Sequence, residues 1–251
     1  MFVAVSTESF LPASGPAPDL AKICEKARET GFDKLELHLD EAGPLPPAEI
    51  AADPDRFAAR YRDTTRLTPV ALCLAEEVDP SVTAGLAKAA KALKVARLTV
   101  PSGPIGTPFN DEIDRLKAHH AAAGPEGVRV SVRTRAGELT EDPDTAVQLC
   151  GAVKGLGVTF DPSYFVSGPY AKVDRDRIFP HVLHVHLRDT AADRLQVKTG
   201  LGEIDYGRLV ARLAKEDYRG ALSVDLLPED VDPEERALEL RKLRMLLESH
   251  L

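Results

Sequence analysis

The sequence predicts an α/β fold, a single (β/α)8 TIM barrel occupying residues 1–251. Three observations lead there. Eight short β-branched or apolar runs recur along the chain. Most of them are separated by a segment with helical periodicity, which implies parallel strands joined by right-handed crossovers. The length of 251 residues is one at which such barrels close as one domain.

The runs, in order, are FVAVST (2–7), KLELHL (34–39), VALCL (70–74), ARLTV (96–100), VRVSVR (128–133), GVTF (157–160), VLHVHL (182–187) and ALSVDL (221–226). The first intervening segment, DLAKICEKARETG, places Leu20, Ile23, Cys24 and Ala27 on one helical face, with Gly31 positioned to end it. The same period runs through 81–93, 111–124, 144–155, 206–216 and 234–250. It is weaker in PDRFAARYRDTTR (54–66), and DPSYFVSGPYAKVDRDR (161–177) reads as a loop. A doubly wound open sheet would carry a glycine-rich phosphate loop after its first strand. STESFLPASGPAP has no GxGxxG, so no nucleotide cofactor is expected.

Composition excludes some functions. A net charge of −8 disfavours nucleic acid or an anionic membrane as partner, because affinity for either comes from Lys and Arg neutralising phosphates. No run of 18 apolar residues and no basic-then-apolar leader is present. Cys24, Cys73 and Cys150 lack zinc-like spacing and read as small hydrophobes in a reducing compartment, so a cytoplasmic location is expected.

Barrel geometry then selects the polar residues that matter. Alternate residues of each strand face the lumen, and chemistry collects at the strands' C-terminal ends. Strand two offers Glu36 and His38; strand five ends at Arg133, with Arg135 just beyond. Strand six ends at Asp161, strand seven offers His184 and His186, and strand eight offers Ser223 and Asp225. Bland readings compete. A strand histidine such as His184 is more often structural than a ligand, and Asp161 before Pro162 can simply begin a turn. His119 and His120 are expected in water on a helix, and Arg129 at the opposite barrel end is expected to pair with a carboxylate. The stretch VRVSVRTRAG (128–137) poses the sharpest question, because its period puts Arg133 on the inner face of a central strand.

Three segments carry a resemblance: GVTFDPSYF (157–165), HVHLRD (184–189) and TGLGEIDYGRLVARLAKEDYRGALSVDL (199–226). In order and spacing they resemble the xylose isomerase-like TIM barrel family, which includes sugar phosphate isomerases and epimerases and inosose dehydratases and is distantly related to endonuclease IV. The resemblance implies a divalent metal (Mn, Co, Mg or Zn) held by Glu on strand five, Asp on six, His on seven and Glu on eight. Two glutamates there pass a proton between carbons through an enediolate. Asp161 and His186 match, Asp225 stands for the second Glu, and Arg133 stands where the first should be. Tyr164 occupies a place often taken by a second His.

A metal set of Asp161, His186 and Asp225 is therefore expected to bind weakly or not at all, and Arg133 to supply the missing positive charge. Two aspartates and one arginine carry the same net charge as three carboxylates and a dication, and Arg133→Glu is expected to restore the ligand set. Asp225, Arg133, Glu36 and His38 are the catalytic candidates; His184, His186, Tyr164 and Lys198 are the substrate-binding candidates. The expected activity is that of a divergent isomerase or epimerase, or a related lyase, on a small sugar, polyol or keto acid. The alternative is a metal-free barrel that binds a small polyol or anion without turnover. Endonuclease chemistry, which needs several zinc ligands, comes last. Barrels of this kind frequently pair, so a homo-oligomer is an open expectation.

Overall fold

The computed structural model describes residues 1–171 and 173–251; Lys172, inside the segment expected to be a loop, lies outside the described residues. Eight parallel strands follow the chain order β1 (Phe2–Ser6), β2 (Lys34–Leu39), β3 (Thr68–Leu74), β4 (Arg97–Val100), β5 (Arg129–Arg133), β6 (Gly157–Phe160), β7 (Val182–Leu187) and β8 (Ala221–Val224). β1 pairs with both β2 and β8, so the sheet closes and no strand is left with an open edge. The (β/α)8 TIM barrel expected from the strand spacing is the observed fold.

Helices α1 (Leu20–Glu29), α2 (Pro47–Ala52), α3 (Pro54–Thr64), α4 (Pro80–Ala92), α5 (Phe109–Ala123), α6 (Pro143–Ala152), α7 (Tyr206–Lys215) and α8 (Arg236–Glu248) surround it. Asp-Pro pairs start three of them. Asp53, Asp79 and Asp142 each accept a hydrogen bond from a backbone N–H of the first turn, and the following proline needs no partner for its nitrogen. The poorly periodic 54–66 is helical after all, because Phe57, Ala58 and Tyr61 form a buried stripe within a charged sequence. The short α2 went unanticipated. Between β6 and β7 two 3-10 turns, at Pro162–Phe165 and Asp176–His181, replace an α-helix.

Two expectations about charged residues fail. His119 is buried, not solvated: it faces α4, where Nδ1 lies 2.8 Å from Thr83 Oγ1. Burial and the nearby Arg115 push its pKa down to about 4. Arg129 is exposed and makes no ion pair among the described residues, since the N-terminal barrel end leaves it in water.

The apolar layer lies between sheet and helices, where Leu35, Leu37, Leu39, Leu72, Leu74 and Leu98 are fully buried. The lumen is polar instead. Thr159 Oγ1 lies 2.7 Å from Ser131 Oγ and 2.8 Å from Thr99 Oγ1, so the three hydroxyls satisfy one another. The three cysteines are buried and unbonded. No helix is long and apolar enough to cross a membrane, among the described residues.

Two rim loops at the C-terminal end are fastened together. Ile105 N donates to Gly137 O (3.0 Å) and Leu139 N to Gly103 O (2.8 Å). Side-chain carboxylates complete the seam, Glu138 taking Ser102 N at 3.0 Å and Glu112 taking Gly103 N at 3.1 Å.

Candidate active site at the barrel mouth

The strand ends converge on a polar cavity of about 240 Å³. Glu8, His38, Arg133, Asp161, Tyr164, His186, Arg188 and Asp225 line it, with Cys73 and Arg135. Seven of the eight strands, or the loops directly after them, contribute.

Along β7 the side chains at 184, 186 and 188 point inward at successive depths. His184, deepest, is fully buried and meets Glu36 Oε2. His186 Nε2 lies 3.0 Å from the same oxygen, and its Nδ1 lies 3.5 Å from Asp225 Oδ2. Burial alone would raise the pKa of Glu36, but the two imidazoles hold it well below the usual carboxylate range. The same carboxylate and Asp225 outweigh burial at His186 and hold its pKa well above the ordinary value, while burial lowers that of His184. The consistent microstate is a neutral His184, an imidazolium at 186 and an anionic Glu36.

At the mouth, Arg188 joins the two aspartates. Its Nη1 lies 2.8 Å from Asp161 Oδ2, its Nη2 lies 2.6 Å from Asp225 Oδ2, and Nε donates to Asp225 O at 2.8 Å. The guanidinium is 2% exposed, with Tyr164's ring centroid 5.8 Å away. Asp161 also caps the turn after β6, its Oδ1 accepting from Ser163 N at 3.0 Å and from Ser163 Oγ. The turn-forming reading of Asp161 and the site reading are thus both true. Asp225 Oδ1 is buried and has no protein partner.

Arg133 faces the mouth, which answers the question its strand raised, but it does not reach the aspartates. Nε and Nη2 donate to Glu138 Oε1 at 2.9 and 2.6 Å, and Nη1 donates to Ala75 O at 2.9 Å. The expectation that Arg133 balances Asp161 and Asp225 is therefore corrected: its charge is spent on Glu138, and Arg188 serves the aspartates. Arg133→Glu would set a carboxylate against Glu138 instead of restoring a ligand set.

His38 and Glu8 form a second pair, Nδ1 to Oε2 at 3.3 Å. Burial would lower the pKa of His38, but Cys73 and Glu8 beside it raise it to about 9. Burial and the Asp225 charge push Glu8 up.

Of the candidates read from the sequence, Asp225, Arg133, His38, His186, Tyr164 and Asp161 line the cavity. Glu36 and His184 lie beneath it, sealed from any ligand, and act on the site through His186. Lys198 lies outside: its side chain is 57% exposed and paired with Glu235 at 2.7 Å. Sequence reasoning passed over Glu8, Glu138 and Arg188. The two-residue period that nominated His184 and His186 also nominates Arg188, one step past the strand end.

Two groups of side chains bring metal-ligating atoms within 4.8 Å of one another, Glu36/His184/His186 and Asp161/His186/Asp225. As arranged, neither fits a divalent ion. Both nitrogens of His186 face carboxylates, and the inward oxygens of both aspartates are held by a guanidinium that cannot lose its proton.

The family model described as xylose isomerase-like TIM barrel matches residues 24–246. No curated protein matches the chain. Among solved structures, a D-tagatose 3-epimerase-like protein superposes with a TM-score of 0.73 at 18% identity, covering 100% of this chain and 98% of that one. The probable 3-DHS dehydratase AsbF from Bacillus anthracis gives 0.72 at 15% identity, covering 99% of each. A xylose isomerase-like TIM barrel protein from Mycobacterium smegmatis, in complex with magnesium, gives 0.74 at 15% identity and covers 98% of this chain and 97% of that one. At such identities these likenesses establish the fold alone. The family match spans most of the chain, and with it the protein belongs to the xylose isomerase-like TIM barrel family.

Proposed function

We propose that the mouth binds a small sugar, polyol or keto acid and moves a proton on it in the manner of an isomerase or epimerase, with the family's divalent-metal site degraded. One observation carries this reading: a cavity of about 240 Å³, the size of a single small polar molecule, lined chiefly by ionisable side chains at the strand ends. The epimerase-like and dehydratase neighbours favour the same substrate class.

The roles follow from position and charge. Asp225 lines the cavity and is the base for a carbon-bound proton beside a carbonyl; its Oδ1, buried but without a protein partner, is free to turn toward the substrate. His38, protonated at neutral pH and held by Glu8, donates to the carbonyl oxygen as charge develops there. Arg188 fixes the orientation of Asp225. These steps draw on protein groups alone, since Arg188 occupies the inward oxygens of Asp161 and Asp225. The three buried, unbonded thiols favour a reducing, cytoplasmic setting.

The test is solvent exchange. Protein dialysed against EDTA is incubated in D2O with ketopentoses, ketohexoses (D-tagatose among them) and small keto acids, and deuterium uptake at carbon is read by mass spectrometry. Uptake is expected for at least one compound, falling by about 10² or more in His38→Gln and Asp225→Asn. Ligand binding without uptake would leave the non-catalytic binding barrel as the function, and neither uptake nor binding would overturn the reading altogether.

A further inference from the structure

We propose that Arg188 is a resident cation that closes the mouth to divalent ions, and that its removal opens an ion site formed by Asp161, His186 and Asp225. The inference deepens the metal-independent reading above and rests on it, but its observations are separate. The ligating atoms of these three residues already lie within 4.8 Å of one another, a spacing that one ion can bridge. What stands between the carboxylates is the guanidinium, 2.8 Å from Asp161 Oδ2 and 2.6 Å from Asp225 Oδ2.

The guanidinium is itself well placed. Besides the two carboxylates it donates to Asp225 O at 2.8 Å and approaches Ser163 Oγ at 3.3 Å. Asp161, Asp225 and Arg188 are all within 3% of full burial. A planar fork with fixed charge fits two carboxylates facing one another across a closed barrel end, a task a lysine's single ammonium would perform less well. An arriving dication would have to displace Arg188 from both carboxylates, breaking two close ion pairs and the bond to Asp225 O before it could bind. Arg188 supplies one positive charge to the pair of aspartates and fills the space between them. One guanidinium shared by two aspartates leaves a net negative charge there, and the N–H groups that hold them are committed to the protein.

The measurement is binding of Mn2+ alone, with no substrate present, by calorimetry, thermal melting and elemental analysis after dialysis. Wild-type protein is expected to retain no Mn2+ and to melt at the same temperature in Mn2+ and in EDTA. Arg188→Ala is expected to hold about one Mn2+ per chain and to gain a few degrees of melting temperature in its presence. Arg188→Lys, which keeps a charge, is expected to behave as wild type. If Arg188→Ala does not fold in EDTA, it is refolded in Mn2+: recovery supports the assignment and failure to recover overturns it. Wild-type protein that retains a stoichiometric ion, or a folded Arg188→Ala that gains none, overturns it as well. Because exchange on the sugar is read in EDTA and ion binding is read without sugar, either proposal can fail while the other stands.

Discussion

Replacing Arg133 by Glu tests whether this arginine is a structural clamp or a free charge in the mouth. Arg133 holds Glu138 through two nitrogens and the carbonyl oxygen of Ala75 through a third, and its side chain is only 13% exposed against 12% for Glu138. Breaking a buried ion pair by removing one partner costs about 3–5 kcal/mol, because the other charge stays buried. Two carboxylates about 4 Å apart repel by roughly 4 kcal/mol at an effective dielectric near 20, part of which is relieved as the shorter Glu draws back. Arg133→Glu is therefore expected to lose about 5 kcal/mol and Arg133→Met about 3 kcal/mol, against a typical total of roughly 5–15 kcal/mol. Urea denaturation followed by circular dichroism at pH 7 reads both. In a double-mutant cycle, Arg133→Met and Glu138→Gln should show a coupling of about 1.5 kcal/mol or more. An Arg133→Glu protein within about 1 kcal/mol of wild type, or independent effects in the cycle, would refute the clamp.

Two further predictions rest on packing and burial. Gly85 on α4 is where α2 comes closest: an added Cβ would lie 2.4 Å from Ala51 O and 2.6 Å from its Cβ. Gly85→Ala should cost about 1–3 kcal/mol and lower the melting temperature, whereas Gly151→Ala on α6, with nothing within 4 Å, should hold or raise it. Equal melting shifts for the two variants would contradict this packing. His119 has a folded pKa of about 4 against an ordinary 6.5, so as pH falls the unfolded chain takes up its proton first. Stability is complete above about 6.5 and is lost progressively down to about 4, by roughly 2–3 kcal/mol from this group. Urea midpoints at pH 7 and 4.5 should differ less in His119→Asn than in wild type, and an identical pH dependence would remove His119 from the account.

The barrel was legible because strand periodicity and alternation are local signals that closure leaves intact; all eight runs became strands within two residues of their expected bounds. The mouth was legible as a set of directions but not as a set of partners. Alternation placed Arg133 on the inner face correctly, yet its partner Glu138 sits on the loop five residues later, where no period applies. Lys198 was misjudged for the same reason, its loop carrying it out of the mouth to an exposed pair with Glu235. Arg188 could have been found, since it continues the alternation of β7, but a residue beyond the strand end looks like loop until the strand's neighbours are known. His119 went wrong because α5 packs sideways against α4 as well as down onto the sheet, which a single amphipathic stripe does not reveal.

The seam joining the loops after β4 and β5 has a consequence for any molecule that enters. Main-chain bonds at 2.8 and 3.0 Å and two side-chain anchors already fix the loops behind Arg133 in the free chain. A guest that meets Arg133 therefore surrenders little backbone freedom on this side, and what opposes association there is chiefly the stripping of water from Arg133, Thr134 and Arg135. Arg133, anchored by Glu138 behind it, would then meet a guest as a fixed neighbour, and a guest lacking the matching polar group would leave that guanidinium poorly satisfied.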